Sequence, residues 1–173
     1  MLFADEAGFC LLPQLSHTWA KKGKTPEVIQ GLKYQHVSAI SAITPEGKLF
    51  FASQHVAYKS EAVIDFLKAI LKSIAGELIL LWDNASIHRS KAIKAFLDTE
   101  EGKRLTLVFL PPYAPHENPD EKVWAWLKKK LSNSTFLDLE ELQDGLHRQV
   151  GDLEERPLLI KAFFRSVDWN IST

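Results

Sequence analysis

The chain has 173 residues, 46% hydrophobic and 25% charged, with a formal net charge of −1. That length and balance suit one globular domain with a real core and exclude a disordered chain. The single cysteine, Cys10, excludes an internal disulfide and fits a reducing compartment, and apolar runs of about five residues are far too short to span a membrane.

The first element in chain order is a short buried strand, Leu2-Phe3-Ala4, ending at Asp5-Glu6. No basic stretch and long apolar run precede it, so no signal peptide is read. Residues 18–30 are basic and turn-rich. Residues 36–43 and 49–56 read as two strands joined at Thr44-Pro45-Glu46-Gly47, a β-hairpin. Residues 61–74 carry Val63, Phe66, Leu67, Ile70, Leu71 and Ile74 at three- and four-residue spacing, which predicts a helix, with Ser60 as its N-cap and Gly76 beyond its end.

Residues 78–82, Leu-Ile-Leu-Leu-Trp, are apolar on both faces and predict a central covered strand. A short helix over 90–97 and a strand over 105–110 follow, the latter stopped by Pro111-Pro112. Asn118 then suits an N-cap, Pro119 the first helical position and Glu121 the third, with Val123, Trp124, Leu127 and Leu131 as the buried stripe. Further helices are expected over 137–150 and 158–164. This order argues for an α/β domain with a mixed sheet and helices on its faces, and nothing divides residues 1–173 into more than one domain.

Three acids stand on separate elements. Asp83 ends the apolar strand, where sites gather in open α/β sheets, although Asp83-Asn84 also suits a simple Asx turn. Asp5 ends a shorter run, and Glu6 beside it points to the opposite face, so only one of the two can serve a shared site. Glu121 follows Asp83 after 37 intervening residues; it also suits a capping box, and Glu117 and Asp120 are neighbouring alternatives. Three such carboxylates are what holding two divalent cations against a phosphodiester requires. His88 lies near enough to Asp83 to share its site, though a lone histidine is more often a turn residue.

Charge is unevenly spread. Residues 17–36 hold Lys21, Lys22, Lys24 and Lys33 against Glu27 alone, and residues 122–136 hold four lysines and no acid. Residues 138–155 hold seven acids against Arg148. Basic runs of this kind suit a phosphate backbone or a solvated surface. Gly23-Lys24-Thr25 lacks the upstream glycine of a phosphate loop, no Gly-x-Ser-x-Gly is present, and the histidines and Cys10 form no zinc pattern.

Phe3-Ala4-Asp5-Glu6-Ala7-Gly8-Phe9, then Trp19, Gly23 and Pro26, then Trp82-Asp83-Asn84-Ala85-Ser86-Ile87-His88, then Leu110-Pro111-Pro112-Tyr113-Ala114-Pro115 and Asn118-Pro119-Asp120-Glu121 with Val123-Trp124 and Leu127-Lys128 resemble the catalytic domain of bacterial insertion-sequence transposases of the mariner superfamily. The resemblance runs from about residue 3 to 131. It implies a ribonuclease H-like fold and an Asp-Asp-Glu triad of Asp5, Asp83 and Glu121. Asn84, His88 and Asn118 become active-site neighbours. Two Mg²⁺ or Mn²⁺ ions are implied, with Asp5 shared between them, Asp83 on one and Glu121 on the other.

The implied activity is DNA cleavage followed by transfer of 3′-hydroxyl ends into target DNA, in a DNA complex that can be a homodimer, without an organic cofactor or a membrane. Lys21, Lys22, Lys24, Lys128, Lys129 and Lys130 are the candidate backbone contacts, and the expected location is the bacterial cytoplasm, at the nucleoid. An inactive DNA-binding derivative and a ribonuclease H-like nuclease without strand transfer are the alternatives. His116, Glu117 and Asp120 depart from the more usual leucine- and isoleucine-bearing motif, and the Asp-to-Glu interval is a few residues long, which a surface loop over 98–104 would absorb. The chain starts four residues before Asp5, without the N-terminal helix-turn-helix region usual in such transposases, so weak recognition of transposon ends is expected.

Overall fold

The computed structural model describes residues 1–11, 21–22, 35–111 and 117–165. The segments 12–20, 23–34, 112–116 and 166–173 lie outside it. With them lie Trp19, Gly23, Lys24, Pro26, most of the basic stretch over 18–30, and part of the Pro-Pro-Tyr motif.

The elements are β1 (Leu2–Cys10), β2 (His36–Ile43), β3 (Leu49–Gln54), α1 (Ser60–Ser73), β4 (Leu78–Trp82), α2 (Lys91–Leu97), β5 (Leu105–Phe109), α3 (Glu121–Leu131), α4 (Leu139–Glu154) and α5 (Pro157–Arg165). The five strands form one sheet in the order β3-β2-β1-β4-β5. β1 to β3 are antiparallel, while β4 and β5 run parallel to β1 and to each other. The sheet is therefore mixed, as expected.

Alternation along the strands divides the core into two layers. Phe3, Phe9, Ile43 and Leu81 meet Val123, Trp124, Leu127, Leu142, Leu146, Leu153 and Ile160 from α3, α4 and α5. Leu2, Ala4, Ile40, Leu80 and Trp82 meet Val63, Leu67, Ile70, Leu71, Ile93 and Phe96 from α1 and α2. Helices cover both faces because the strands are apolar on both. The cover runs out at Ile79, which shares the face of Leu81 but is 47% exposed.

β1 is longer than the sequence suggests. It continues through Asp5 and Glu6 to Cys10 because every residue from Phe3 to Cys10 has a partner on β2. Backbone pairing with a strand remote in sequence outweighs the polarity of the two side chains. The hairpin forms where expected: Gly47 N–H closes its turn on the Thr44 carbonyl at 2.9 Å. Gly47 has φ +88°, and a Cβ there would run into the Pro157 carbonyl, so the turn also seats the start of α5.

Two caps differ from expectation. Ser60 is the first helical residue of α1, with Lys59 at the N-cap, and its hydroxyl donates to Ser90 Oγ at 2.8 Å. Ser90 is itself the N-cap of α2 and accepts from Ile93 N–H at 3.3 Å. The helix expected from Asn118 begins at Glu121, with Asp120 as N-cap. Residues 118–120 form a preceding turn, in which Asn118 Oδ1 accepts from Asp120 N–H at 3.1 Å and Glu121 N–H reaches the Asn118 carbonyl at 3.2 Å. The Asn118 side chain is buried instead against β1, where Nδ2 donates to the Ala4 carbonyl at 2.9 Å. No helix among the described residues is long and apolar enough to cross a membrane.

Candidate active site

The site forms where β1 and β4 part. They are paired in parallel at Leu2↔Leu80 and Phe3↔Leu81. Asp5 and Asp83 each follow two residues after the pair Phe3↔Leu81, Asp5 still within β1 and Asp83 just past the end of β4. Both line one cleft of about 380 Å³, together with Glu6, His36, Tyr58 and His88. Glu121 is not part of that lining. It sits exposed at the mouth of α3, close enough for its charge to act on Asp5.

Asp5 is held from below. Trp124 Nε1 donates to its Oδ2 at 2.9 Å, and Trp124 is itself buried against Phe9 and Phe51. Burial and the neighbouring charge of Glu121 push the Asp5 carboxyl up from its ordinary 3.8 to about 7. A carboxylate driven that high beside other acids lacks a positive partner.

Asp83 is half exposed and has two partners. Ala85 N–H donates to Oδ1 at 3.1 Å, so the Asx turn does form. The same oxygen lies 2.8 Å from His88 Nδ1. The hydrogen bond with His88 and that with Ala85 hold the Asp83 carboxyl below its usual range, against the effect of burial.

His88, whose residue type more often marks a turn than a ligand, is almost wholly enclosed. It is buried in the turn Ser86–Arg89 and stacks on Trp82 with ring centroids 3.9 Å apart. Its Nε2 lies 2.9 Å from Glu6 Oε1, and Trp82 Nε1 donates to Glu6 Oε2 at 3.1 Å. Burial disfavours charge on the ring, but hydrogen bonds with Asp83 and Glu6 outweigh it and push His88 up to about 9. The imidazolium thus donates from both nitrogens at neutral pH.

Two residues set aside in the sequence therefore belong to the arrangement. Glu6 does face away from Asp5, yet that face carries His88 and Trp82. Glu6, Asp83 and His88 bring ligand-type atoms within 4.8 Å of one another. Asp120 is wholly buried, with Oδ2 accepting from Ser41 Oγ at 2.6 Å and Oδ1 without a partner among the described residues. No local spacing signals either role, since the partners lie 79 to 82 residues away. Asn84 is exposed beside Asp83, and Glu117 is half-buried before the α3 turn.

Among the candidate DNA-contacting lysines, Lys21, Lys22, Lys129 and Lys130 are exposed and Lys128 is half-buried. Lys130 is also engaged, 3.6 Å from Asp152 Oδ2 and 5.0 Å from the Trp126 ring centroid.

Asp5, Asp83 and Glu121 carry carboxylate oxygens, the kind of donor that hard divalent cations take, and positive charge would relieve the lifted Asp5. Their oxygens do not form one close group: among the described residues the ligand-type atoms that come together are those of Glu6, Asp83 and His88.

Comparison with known proteins bears on the family and the fold. A curated relative, the uncharacterized protein y4pE/y4sA of Sinorhizobium fredii (strain NBRC 101917 / NGR234), is 31% identical over 86 residues, which are 48% of this chain and 59% of that protein. The fold matches the Mos1 mariner transposase in a paired-end complex with Mn, at TM-score 0.67 and 14% identity, over 95% of this chain and 53% of that one. It also matches the Mos1 transposase catalytic domain with raltegravir and Mn, at TM-score 0.64 and 14% identity, over 95% of this chain and 78% of that one. The chain thus spans about half the length of the Mos1 transposase in the paired-end complex, and its mixed sheet between helical layers is the ribonuclease H-like fold. A family model described as DDE superfamily endonuclease matches residues 1–143, and the chain belongs to that family.

Proposed function

We propose that residues 1–173 form a single metal-dependent DNA transposase catalytic domain, cleaving DNA phosphodiester bonds and transferring 3′-hydroxyl ends into target DNA. The observation that carries the reading is that Asp5 and Asp83 line one cleft, with the charge of Glu121 acting on Asp5.

Asp5, Asp83 and Glu121 would hold Mg²⁺ or Mn²⁺, two ions in all. The chemistry such cations supply when bound is Lewis-acid activation of the scissile phosphate and of the attacking water or hydroxyl. The chain's own part is positioning. Trp124 fixes one oxygen of Asp5, and Ala85 and His88 fix Asp83. To hold a cation Asp5 would need to be in its ionised form, because ligation needs the carboxylate. Lys21, Lys22, Lys24, Lys128, Lys129 and Lys130 hold the DNA backbone without reading its sequence.

The known structures of Mos1 include paired-end and strand-transfer complexes. By that likeness the partners here would be transposon ends and target DNA, bound by a pair of chains. The location that goes with this reading is the bacterial cytoplasm, at the nucleoid.

The test is Mn²⁺-dependent nicking and strand transfer on duplex DNA by the purified chain. Asp83→Asn and Glu121→Gln are expected to abolish both. Unchanged activity in the two variants overturns the triad. Preference for RNA–DNA hybrid over duplex DNA would indicate a nuclease without strand transfer. Salt-sensitive DNA binding with no metal uptake by calorimetry would indicate an inactive module.

A further inference from the structure

We infer that His88 is a positioning residue for Asp83 and that Glu6 is its anchor, so that Glu6, His88 and Asp83 work as one unit. The inference rests on the reading of Asp83 as a cation-holding carboxylate. Asp83 lies just past the end of β4, half exposed, where nothing in the strand itself fixes its side chain. His88 supplies what the backbone does not. Its Nδ1 lies 2.8 Å from Asp83 Oδ1 and 3.2 Å from the Asp83 carbonyl, so one N–H holds both the side chain and the main chain of that residue.

The ring cannot drift. It is stacked on Trp82, the last residue of β4, and its other nitrogen is tied to Glu6 Oε1 at 2.9 Å. Glu6 is fixed in turn by the Trp82 indole at 3.1 Å. The four groups close a loop in which β1 and β4, through Glu6 and Trp82, set the height and tilt of the imidazole. Asp83 Oδ1 is taken by Ala85 and His88, which leaves Oδ2 for a cation. Partners that orient a metal-binding carboxylate in this way affect binding without touching the metal. Glu6 therefore contributes from the sheet face that looks away from Asp5.

Two substitutions separate the two nitrogens of the ring. His88→Asn places an amide N–H near the position of Nδ1 and drops the link to Glu6. His88→Gln places one near Nε2 and drops the link to Asp83. Mn²⁺ affinity is measured by calorimetry on each full chain, with nicking measured alongside and folding followed by thermal melting. His88→Gln is expected to weaken Mn²⁺ binding about tenfold or more, and His88→Asn to lose less. Glu6→Gln keeps an acceptor for the indole, weakens the hold on His88, and is expected to weaken binding in the same direction.

A folded His88→Gln chain with parental Mn²⁺ affinity overturns the inference, as does a larger loss in His88→Asn than in His88→Gln. Should both His88 variants fail to fold, Glu6→Gln decides: parental affinity overturns the inference, and reduced affinity with an unchanged melt supports it. Failure of the underlying reading looks different, because there Asp83→Asn itself leaves Mn²⁺ binding and nicking at parental levels. A parental chain that neither binds nor cuts overturns both.

Discussion

Ser41 Oγ donates a 2.6 Å hydrogen bond to Asp120 Oδ2 inside the core, joining the middle of β2 to the residue that precedes α3. Both residues are wholly buried. Burial, opposed by the Ser41 hydroxyl and reinforced by the charges of Asp5 and Glu121, pushes the Asp120 carboxyl well above its usual range. That direction favours the protonated acid in the fold, and this bond pins the mouth of α3, where Glu121 sits, onto the sheet. Ser41→Ala leaves the acid with no partner on either oxygen and should cost about 1–3 kcal/mol. Asp120→Asn, neutral like the protonated acid, should cost less. Urea denaturation of the two variants checks the order, and a Ser41→Ala chain as stable as the parent contradicts it.

The native chain should lose stability as pH rises from acid to alkaline. Asp5, with its pKa moved from 3.8 to about 7, keeps a proton that the unfolded chain gives up, so its contribution is present below about 4 and lost through 7. Asp120 shifts in the same direction. His88, moved from 6.5 to about 9, contributes below 6.5 and fades through 9. Asp83 is lowered and acts oppositely, losing its contribution only as pH falls below its ordinary 3.8. Melting temperature without divalent cations should therefore be higher at pH 5.5 than at pH 8.5. Asp5→Asn should flatten the limb below pH 7 and His88→Gln the limb above it. A melting temperature that climbs from pH 5.5 to 8.5 would contradict the assignment.

Arg104 should resist even conservative replacement. Its guanidinium donates to the carbonyls of Leu71 (3.1 Å), Ile74 (2.6 Å) and Gly76 (3.0 Å), in the last turn of α1 and just beyond it, where a helix leaves carbonyls without intrahelical partners. A lysine ammonium cannot reproduce a planar fork that reaches three acceptors at once. Arg104→Lys should cost about 1–3 kcal/mol in chemical denaturation, while Lys103→Ala beside it, exposed and paired with the exposed Glu100, should cost almost nothing.

Arg104 also marks where sequence reading stops. The segment 98–104 reads as a surface loop because it is polar, yet Gly102 is buried and Arg104 caps a helix some 30 residues earlier in the chain. Elements governed by local spacing were legible: the hairpin turn, the apolar stripe of α1, and the apolar run of β4 each carry their periodicity within a few residues. β1 was read too short because its length depends on pairing with β2, more than 25 residues away. The same division holds at the site. Asp83 just past β4 and Glu121 at the start of α3 stand at element ends, positions that an apolar run and a helix start mark within a few residues. The partnerships of Glu6 with His88 and of Ser41 with Asp120 exist only once the sheet has formed, and no local pattern encodes them.

Trp124 offers the most direct way to tune the site without touching its carboxylates. The indole N–H donates to Asp5 Oδ2, stabilises the ionised form, and so opposes the upward push of burial and Glu121. Trp124→Phe removes that donor while keeping an aromatic ring against Phe9 and Phe51, at a packing cost of about 1–3 kcal/mol. Asp5 then holds its proton to a pH above about 7. A proton and a cation compete for the same oxygens. Mn²⁺ affinity measured by calorimetry at pH 7 should therefore fall in the variant, and the gap from the parent should narrow at pH 8.5, where both chains approach ionised Asp5. A gap of the same size at both pH values would mean that the indole acts on binding by some route other than the protonation of Asp5.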